Sequence, residues 1–241
     1  MKQAVIVTGA AGGIGAALCR RAKEDGYLAV GIDRDAAGEA DVQILADLRD
    51  SERLIALGAD LSLEYEIKAL VHNAAVQPLA GAGQTSATQW LDTLSVNLIA
   101  VDALLAGTRT NLAAHNGSVV VITSVHAHAT TTGIAAYAAS KAALEGWVRA
   151  AALDLGPQIR VNAVAPGAIN TAKLREGFAR WGAESAENRM AVLRDRTALR
   201  RIGEPGDVAG AVAFLIGNDA SFVTGSVLTV DGGATARLGS E

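Results

Sequence analysis

The stretch Ala4-Val5-Ile6-Val7-Thr8-Gly9-Ala10-Ala11-Gly12-Gly13-Ile14-Gly15 decides how this chain is read. Its four leading apolar residues have the pattern of a short buried strand. A glycine-rich turn follows at once, and Ala16 to Asp25 has the composition of a helix. Strand, glycine turn and helix in that order make a phosphate cradle. Glycines let the backbone approach a pyrophosphate, and the helix N-terminus meets it with free N–H groups and a positive dipole end. A second apolar run, Leu28 to Ile32, ends in Asp33, eighteen residues beyond Gly15. A carboxylate at about that distance takes the adenosine ribose hydroxyls of NAD and repels the 2′-phosphate of NADP. Arg34 acts in the other direction, because a neighbouring arginine accommodates that phosphate. A simple strand-ending aspartate is the competing reading of Asp33.

Working outward, apolar runs recur at Val42 to Leu45, Ala69 to His72, Val119 to Ile122, Arg160 to Val164 and Val227 to Val230. Helix-like segments separate them: Ser51 to Leu57, Gln89 to Leu112 as one or two helices, Ala138 to Ala152, and Val208 to Leu215. Alternating strands and helices imply a Rossmann-type doubly wound parallel sheet of about seven strands, with helices on both faces, in one domain spanning 1–241. Ala36 to Ala40 holds at most a turn of helix, so the crossover to the third strand is abbreviated. Ligands of such sheets bind outside the carboxyl ends of the strands. Thr8, Asp33, Asn73, Ser124 and Pro166 all follow strand ends and are expected to converge there.

The bulk numbers set bounds. The chain has 241 residues, half of them hydrophobic, which is ample for one large core. Its 21 basic and 25 acidic residues leave a net charge of −4, which gives no basic footprint for nucleic acid. Cys19 is the single cysteine, so no intrachain disulfide forms, and it reads as a small core residue. The first strand begins within a few residues of Met1, leaving no room for a signal peptide. No uninterrupted apolar run approaches the ~18 residues of a membrane span. A cytoplasmic protein with no membrane contact is the expectation.

Tyr137 and Lys141 lie four residues apart in an alanine-rich segment, so their side chains share one helix face. A phenol beside an ammonium forms an acid–base unit, since a nearby positive charge favours the phenolate. The same spacing arises by chance on many helices, so the pair needs support from elsewhere in the chain.

The pattern Thr8-Gly-x-x-x-Gly13-x-Gly15 with Tyr137-x-x-x-Lys141 resembles the classical branch of the short-chain dehydrogenase/reductase family, and the similarity covers nearly the whole chain. The resemblance implies NAD(P) on Gly9, Gly13, Ile14 and Gly15, with NAD preferred over NADP if Asp33 binds the ribose. It implies that Asp47 meets the adenine amino group with help from the Leu48 backbone, although Asp47 reads equally well as the N-cap of Ser51 to Leu57. Asn73 and Ala74 are expected beside the cofactor. The family pattern there is Asn-Asn-Ala-Gly, and the chain departs from it at His72 and Ala75; His72 reads better as a structural histidine than as a proton-transfer group. Pro166-Gly167-Ala168-Ile169-Asn170-Thr171 matches the family's Pro-Gly-x-Ile-x-Thr, which implies that the Ile169 backbone meets the nicotinamide carboxamide and that the Thr171 hydroxyl reaches the carboxamide or the pyrophosphate.

By the same resemblance Asn97, Ser124, Tyr137 and Lys141 are the catalytic set. Ser124 stands thirteen residues before Tyr137, the family's spacing, and is expected to hold the substrate oxygen. Lys141 is expected to lower the Tyr137 pKa and to hold the nicotinamide ribose, while Asn97 holds a water on a proton path. No metal ligand is expected. His126 and His128 follow Ser124 closely; His126, Gln77 and Trp181 are substrate-lining candidates, with unliganded loop histidines as the alternative. Residues 172–200 read as the least regular segment and resemble the family's substrate lid, with Phe178, Trp181, Met190 and Leu193 available to cover a substrate or to pack as a helical pair. The arginines there, interleaved with acids, read as a solvated face. The C-terminal Arg201-to-Asp207 and Asp231-Gly232-Gly233 segments match the family's subunit-interface end, so a homotetramer is expected, with a dimer next. The expected reaction is hydride transfer between NAD(H) and a secondary alcohol or ketone such as a sugar, polyol or hydroxy acid. A 3-oxoacyl-carrier-protein reductase and a non-catalytic NAD-binding regulator remain alternatives.

Overall fold

The computed structural model describes residues 1–179 and 182–236. Seven strands form one parallel sheet in the order β3-β2-β1-β4-β5-β6-β7. They are β1 Lys2–Thr8, β2 Leu28–Asp33, β3 Val42–Leu45, β4 Tyr65–His72, β5 Ser118–Ile122, β6 Arg160–Pro166 and β7 Val227–Val230. The order reverses between β1 and β4, which places a crevice at their carboxyl ends. Strand β4 starts four residues earlier than its apolar run, because Glu66 and Lys68 alternate with buried Ile67 and its first residues pair with Lys2 and Gln3 of β1.

Alternation along β1 divides the core. Ala4 and Ile6 face one layer with Leu54, Leu104 and Leu144; Val5 and Val7 face the other with Leu18, Val208 and Val212. The first layer is covered by α2 Ser51–Glu64, α4 Ala100–Ala114 and α5 Ala135–Leu155; the second by α1 Gly13–Glu24 and α8 Pro205–Ile216. Small residues allow close contact: a Cβ on Gly107 of α4 would lie 2.3 Å from the Ile55 carbonyl of α2. As expected, no helix joins β2 to β3; buried Ala37 and Ala40 plug that side instead.

The segment read as one or two helices is a single helical run with a π-turn in it: α3 Ala87–Leu94, the π-turn Ser95–Ile99, then α4. Ala87–Ala114 is long and apolar enough to cross a membrane, contrary to the expectation from uninterrupted apolar runs, but α4 packs on α2 and β4 and contributes to the core. The segment 172–200, read as irregular, contains two helices, α6 Ala172–Ala179 and α7 Ala183–Arg196, packed on each other. Its Ala, Leu, Glu, Arg and Met residues are strong helix formers, and that propensity outweighs the scattered charge pattern.

Candidate active site

The glycine turn makes a cradle that side chains would fill. Gly9 has φ +66°, and a Cβ there would lie 2.7 Å from the Ala74 Cα. A Cβ on Gly15 would lie 2.0 Å from the Gly9 carbonyl oxygen, so the turn closes tightly only without one. Gly12 caps α1 with no side-chain hydrogen bond, which leaves the first-turn N–H groups open to an anion. Across the cleft, Thr171 stands so close that a Gly13 Cβ would meet its methyl at 3.1 Å. At the end of β2 the Asp33 carboxylate accepts from the Ala11 and Asp35 amides, at 2.9 and 3.2 Å. These features fit a dinucleotide.

One continuous cleft runs over the strand ends. It is lined by Gly9, Gly13, Ile14, Asp33, Asp47, Leu48, Asn73, Ala74, Gln77, Ser124, His126, Tyr137, Lys141, Pro166, Gly167, Ile169 and Thr171. Thus the structure brings almost every sequence-predicted residue together. Gly15 is buried under the turn, and Asn97 is buried behind the cleft wall. Trp181 lies outside the described residues. Asp47 does not cap the following helix: Asp50 does, accepting from the Arg53 amide. Asp47 is gripped by Arg49 at 2.6 Å, which holds its carboxyl down at about 2.

Tyr137 and Lys141 occupy adjacent turns of α5, as their spacing requires. Lys141 is 1% exposed, donates to the Ile122 carbonyl at 2.6 Å, and its Nζ lies 5.7 Å from the Tyr137 ring centre. Burial, helped by the charge of Lys173, lowers its pKa from 10.5 to about 7. Tyr137 behaves opposite to the expectation: burial pushes its phenol up, and a hydrogen bond with Ser124 is the opposing influence. Desolvation sets the direction of both shifts.

Asn97 sits in the π-turn and its amide is fully engaged. It accepts from the Val76 amide at 2.8 Å and donates to the Val76 carbonyl at 3.0 Å and to Ser140 Oγ at 2.9 Å. The side chain therefore ties the loop after β4 to α5. Ser140 gave no signal in the sequence beyond its place before Lys141.

The two loop histidines separate. His126 packs edge-on against Tyr137, 6.1 Å between ring centres, lines the cleft, and has a buried Nδ1 without a hydrogen-bond partner. Burial lowers its pKa. His128 turns away and pairs with Glu145 of α5 at 2.6 Å, so it is an anchor for the loop. Phe178 and Leu193 line the lid side of the cleft, whereas Met190 does not. Of the lid arginines, Arg200 pairs with Asp195 on the expected solvated face, while Arg189 and Arg196 line the cleft. Lys173, which raised no signal, reaches across the cleft to the Ala75 carbonyl at 3.5 Å. Among the described residues no His, Cys, Asp and Glu cluster could hold a metal ion.

Comparison with known proteins places this geometry. The family model described as enoyl-(acyl carrier protein) reductase matches residues 9–235. Dehydrogenase/reductase SDR family member 4 of Homo sapiens is 34% identical over 253 residues, covering 97% of this chain and 87% of that protein. Aldohexose dehydrogenase of Thermoplasma acidophilum, in ligand-free form, superposes with a TM-score of 0.94 at 31% identity, over 100% of this chain and 97% of that one. A Beutenbergia cavernae protein assigned as an NAD(P)-dependent gluconate 5-dehydrogenase, with NADP bound at low occupancy, has a TM-score of 0.89 at 33% identity, over 98% and 97% of the two chains. The chain belongs to the short-chain dehydrogenase/reductase family.

Proposed function

We propose that this oxidoreductase uses NAD in preference to NADP and interconverts a secondary alcohol and its ketone within an oxygen-rich substrate, a sugar, polyol or hydroxy acid. The carrying observation is that Ser124, Tyr137 and Lys141 meet in the same cleft as the glycine cradle. In that cleft Gly9, Gly13, Ile14, Leu48, Asn73 and Ala74 would hold the dinucleotide, with Gly15 closing the turn beneath it and Pro166, Gly167, Ile169 and Thr171 at its nicotinamide end. When bound, it supplies the carbon that accepts or gives the hydride. In reduction Tyr137, a phenol whose pKa burial raises, donates its proton to the forming alkoxide. In oxidation the phenolate takes the substrate hydroxyl proton. Ser124 hydrogen-bonds the substrate oxygen and stabilises the charge developing on it. Lys141 is placed to hold the ribose, and Asn97 holds the turn behind it.

Asp33 supports NAD: its carboxylate lies beside the glycine turn, while Arg34 points to Asp35 at 3.7 Å on the surface. His126, Gln77 and Lys173 support an oxygen-rich substrate, since each brings a polar group to the substrate end of the cleft. The names of the two structural relatives, an aldohexose and a gluconate dehydrogenase, agree with that class. A homotetramer, or next a dimer, is our reading of the exposed Phe214, Phe222 and Leu228 near β7, and light scattering of the purified chain tests it. A cytoplasmic location is proposed from the single buried thiol, Cys19.

The deciding experiment assays polyols, sugars, hydroxy acids, simple alcohols and ketones by absorbance with NAD(H) and NADP(H) in parallel. Turnover of an oxygen-rich substrate with NAD(H) is expected. Preference for NADPH overturns the role of Asp33, and turnover confined to simple alcohols overturns the substrate class.

A further inference from the structure

His72 stands at a junction for which the scheme above has no role. It ends β4 in the middle of the sheet and is fully buried. Donors and acceptors around it are countable one by one. The amides of Asn73 and Ala74 both donate to Thr8 Oγ1, at 3.1 and 3.2 Å. With both lone pairs of that hydroxyl taken, its own proton leaves in the remaining direction, where His72 Nδ1 stands at 2.9 Å. Nδ1 is therefore the accepting nitrogen, and the ring proton sits on Nε2. Nε2 faces the Val96 and Asn97 carbonyls of the π-turn, without a partner in strict hydrogen-bond geometry. The same sense of donation continues beyond: Asn97 Nδ2 donates to Ser140 Oγ at 2.9 Å, and Ser140 Oγ donates to the Tyr137 carbonyl at 2.7 Å.

We propose that His72, locked by Thr8 as the Nε2–H tautomer, is a positioning residue that couples the cofactor-side loop at Asn73 and Ala74 to the π-turn of Asn97 and, through Ser140, to the helical turn bearing Tyr137. It does not line the cleft, so it acts only through these neighbours. Burial and the charge of Lys141 hold its pKa at about 3, so the ring stays neutral and the tautomer persists at working pH. A leucine there would leave the Thr8 proton without an acceptor in the core and would remove the N–H group that faces the π-turn carbonyls. Asparagine offers an oxygen in one direction and N–H groups in the other, and so serves both.

The first test is independent of activity. In ligand-free protein labelled with ¹⁵N-histidine, His72 is expected to show an unprotonated Nδ1 and a protonated Nε2, with no titration between about pH 5 and 8. Thr8→Ser keeps that signature, while Thr8→Val releases a mixture of tautomers. The second test rests on the oxidoreductase reading and uses the best substrate of the panel with NAD titration. His72→Leu is expected to lower kcat about tenfold and to weaken NAD binding, leaving the alcohol KM within about twofold, and His72→Asn to restore most of kcat. A protonated Nδ1 or a titrating His72 in the wild type overturns the proposal. So does a folded His72→Leu with wild-type kcat and NAD affinity. If that variant does not fold, equal kcat in Thr8→Val and wild type overturns it instead. A panel without turnover removes the oxidoreductase reading and leaves the tautomer measurement to decide.

Discussion

Replacing Lys141 by methionine should make this protein more stable at neutral pH while removing its activity. The ammonium is 1% exposed, and burial is the main cause that brings its pKa from 10.5 to about 7. At 1.36 kcal/mol per unit, a depression of roughly 3.5 units is about 5 kcal/mol of strain carried by the folded state when the group is charged. The sign follows from proton counts. Below pH 7 the lysine is protonated folded and unfolded, and the strain is fully present. Between pH 7 and about 10.4 the unfolded chain binds the extra proton, so wild-type stability rises with pH; above that range the strain is gone. Methionine of similar length removes the charge but leaves the Ile122 carbonyl without its 2.6 Å donor, which costs about 1–3 kcal/mol. The variant should therefore exceed wild type by about 2–4 kcal/mol at pH 6.5, roughly 5–10 °C in Tm for a chain of this size. Near pH 10.5 it should fall below wild type by about 1–3 kcal/mol, the cost of the unpaired carbonyl alone. Urea unfolding of both proteins in half-unit pH steps reads the difference directly. A variant less stable than wild type at pH 6.5, with a difference that stays flat to pH 10, would refute the account of Lys141 as a strained buried charge.

Tyr137→Phe should abolish turnover and leave NAD affinity, measured by fluorescence titration, within about twofold. Because burial raises the Tyr137 pKa, the phenol keeps its proton through neutral pH, so kcat/KM for ketone reduction should hold level there while that for alcohol oxidation climbs with pH, and parallel pH profiles of the two directions check the contrast. Gly15→Ala, whose Cβ would lie 2.0 Å from a backbone oxygen, should yield little folded protein, whereas Gly13→Ala, meeting only the Thr171 methyl at 3.1 Å, should fold with an NAD KM raised several-fold; expression, circular dichroism and kinetics separate the two. Asn162→Leu strands the Val223 carbonyl and the Ser226 amide, which the buried side chain now satisfies at 2.8 and 3.1 Å; a loss of roughly 3 kcal/mol should lower the urea midpoint without changing the m-value.

The elements most legible in the sequence are those whose cause is local. Val119 to Ile122 is uniformly apolar because a central parallel strand is buried on both faces, and β5 is buried along its whole length. The glycine turn is legible because Gly9 and Gly15 stand too close to backbone atoms to carry a side chain. Strand β4 was legible only in its apolar half, since Glu66 and Lys68 alternate with core residues near its start. The π-turn at Ser95–Ile99 carries no composition mark: it arises where Asn97 is pulled onto Val76 and Ser140, partners more than twenty residues away. His128 was indistinguishable from His126 by position, and the buried Glu145 of α5 decides that it faces away from the cleft.

The Tyr137 and Lys141 pair shows where local reasoning stops. Their four-residue spacing correctly places both on one face of α5, and an attraction between phenolate and ammonium follows from it. Burial is absent from that argument, yet it sets the direction of both pKa values, raising the acid and lowering the base. A phenol beside a lysine that titrates near neutrality is a resting state in which neither group need carry charge in a dry site. In the proposed mechanism that arrangement favours proton donation by Tyr137, and the oxidative direction then depends on what stabilises the phenolate, the Ser124 hydrogen bond first. The cofactor half of the cleft is built largely from backbone at strand ends, which explains why the reaction class was legible. Gln77, His126 and Lys173 reach the same cleft from three separate segments, and their meeting depends on the closed fold, so no single stretch of the chain announces it.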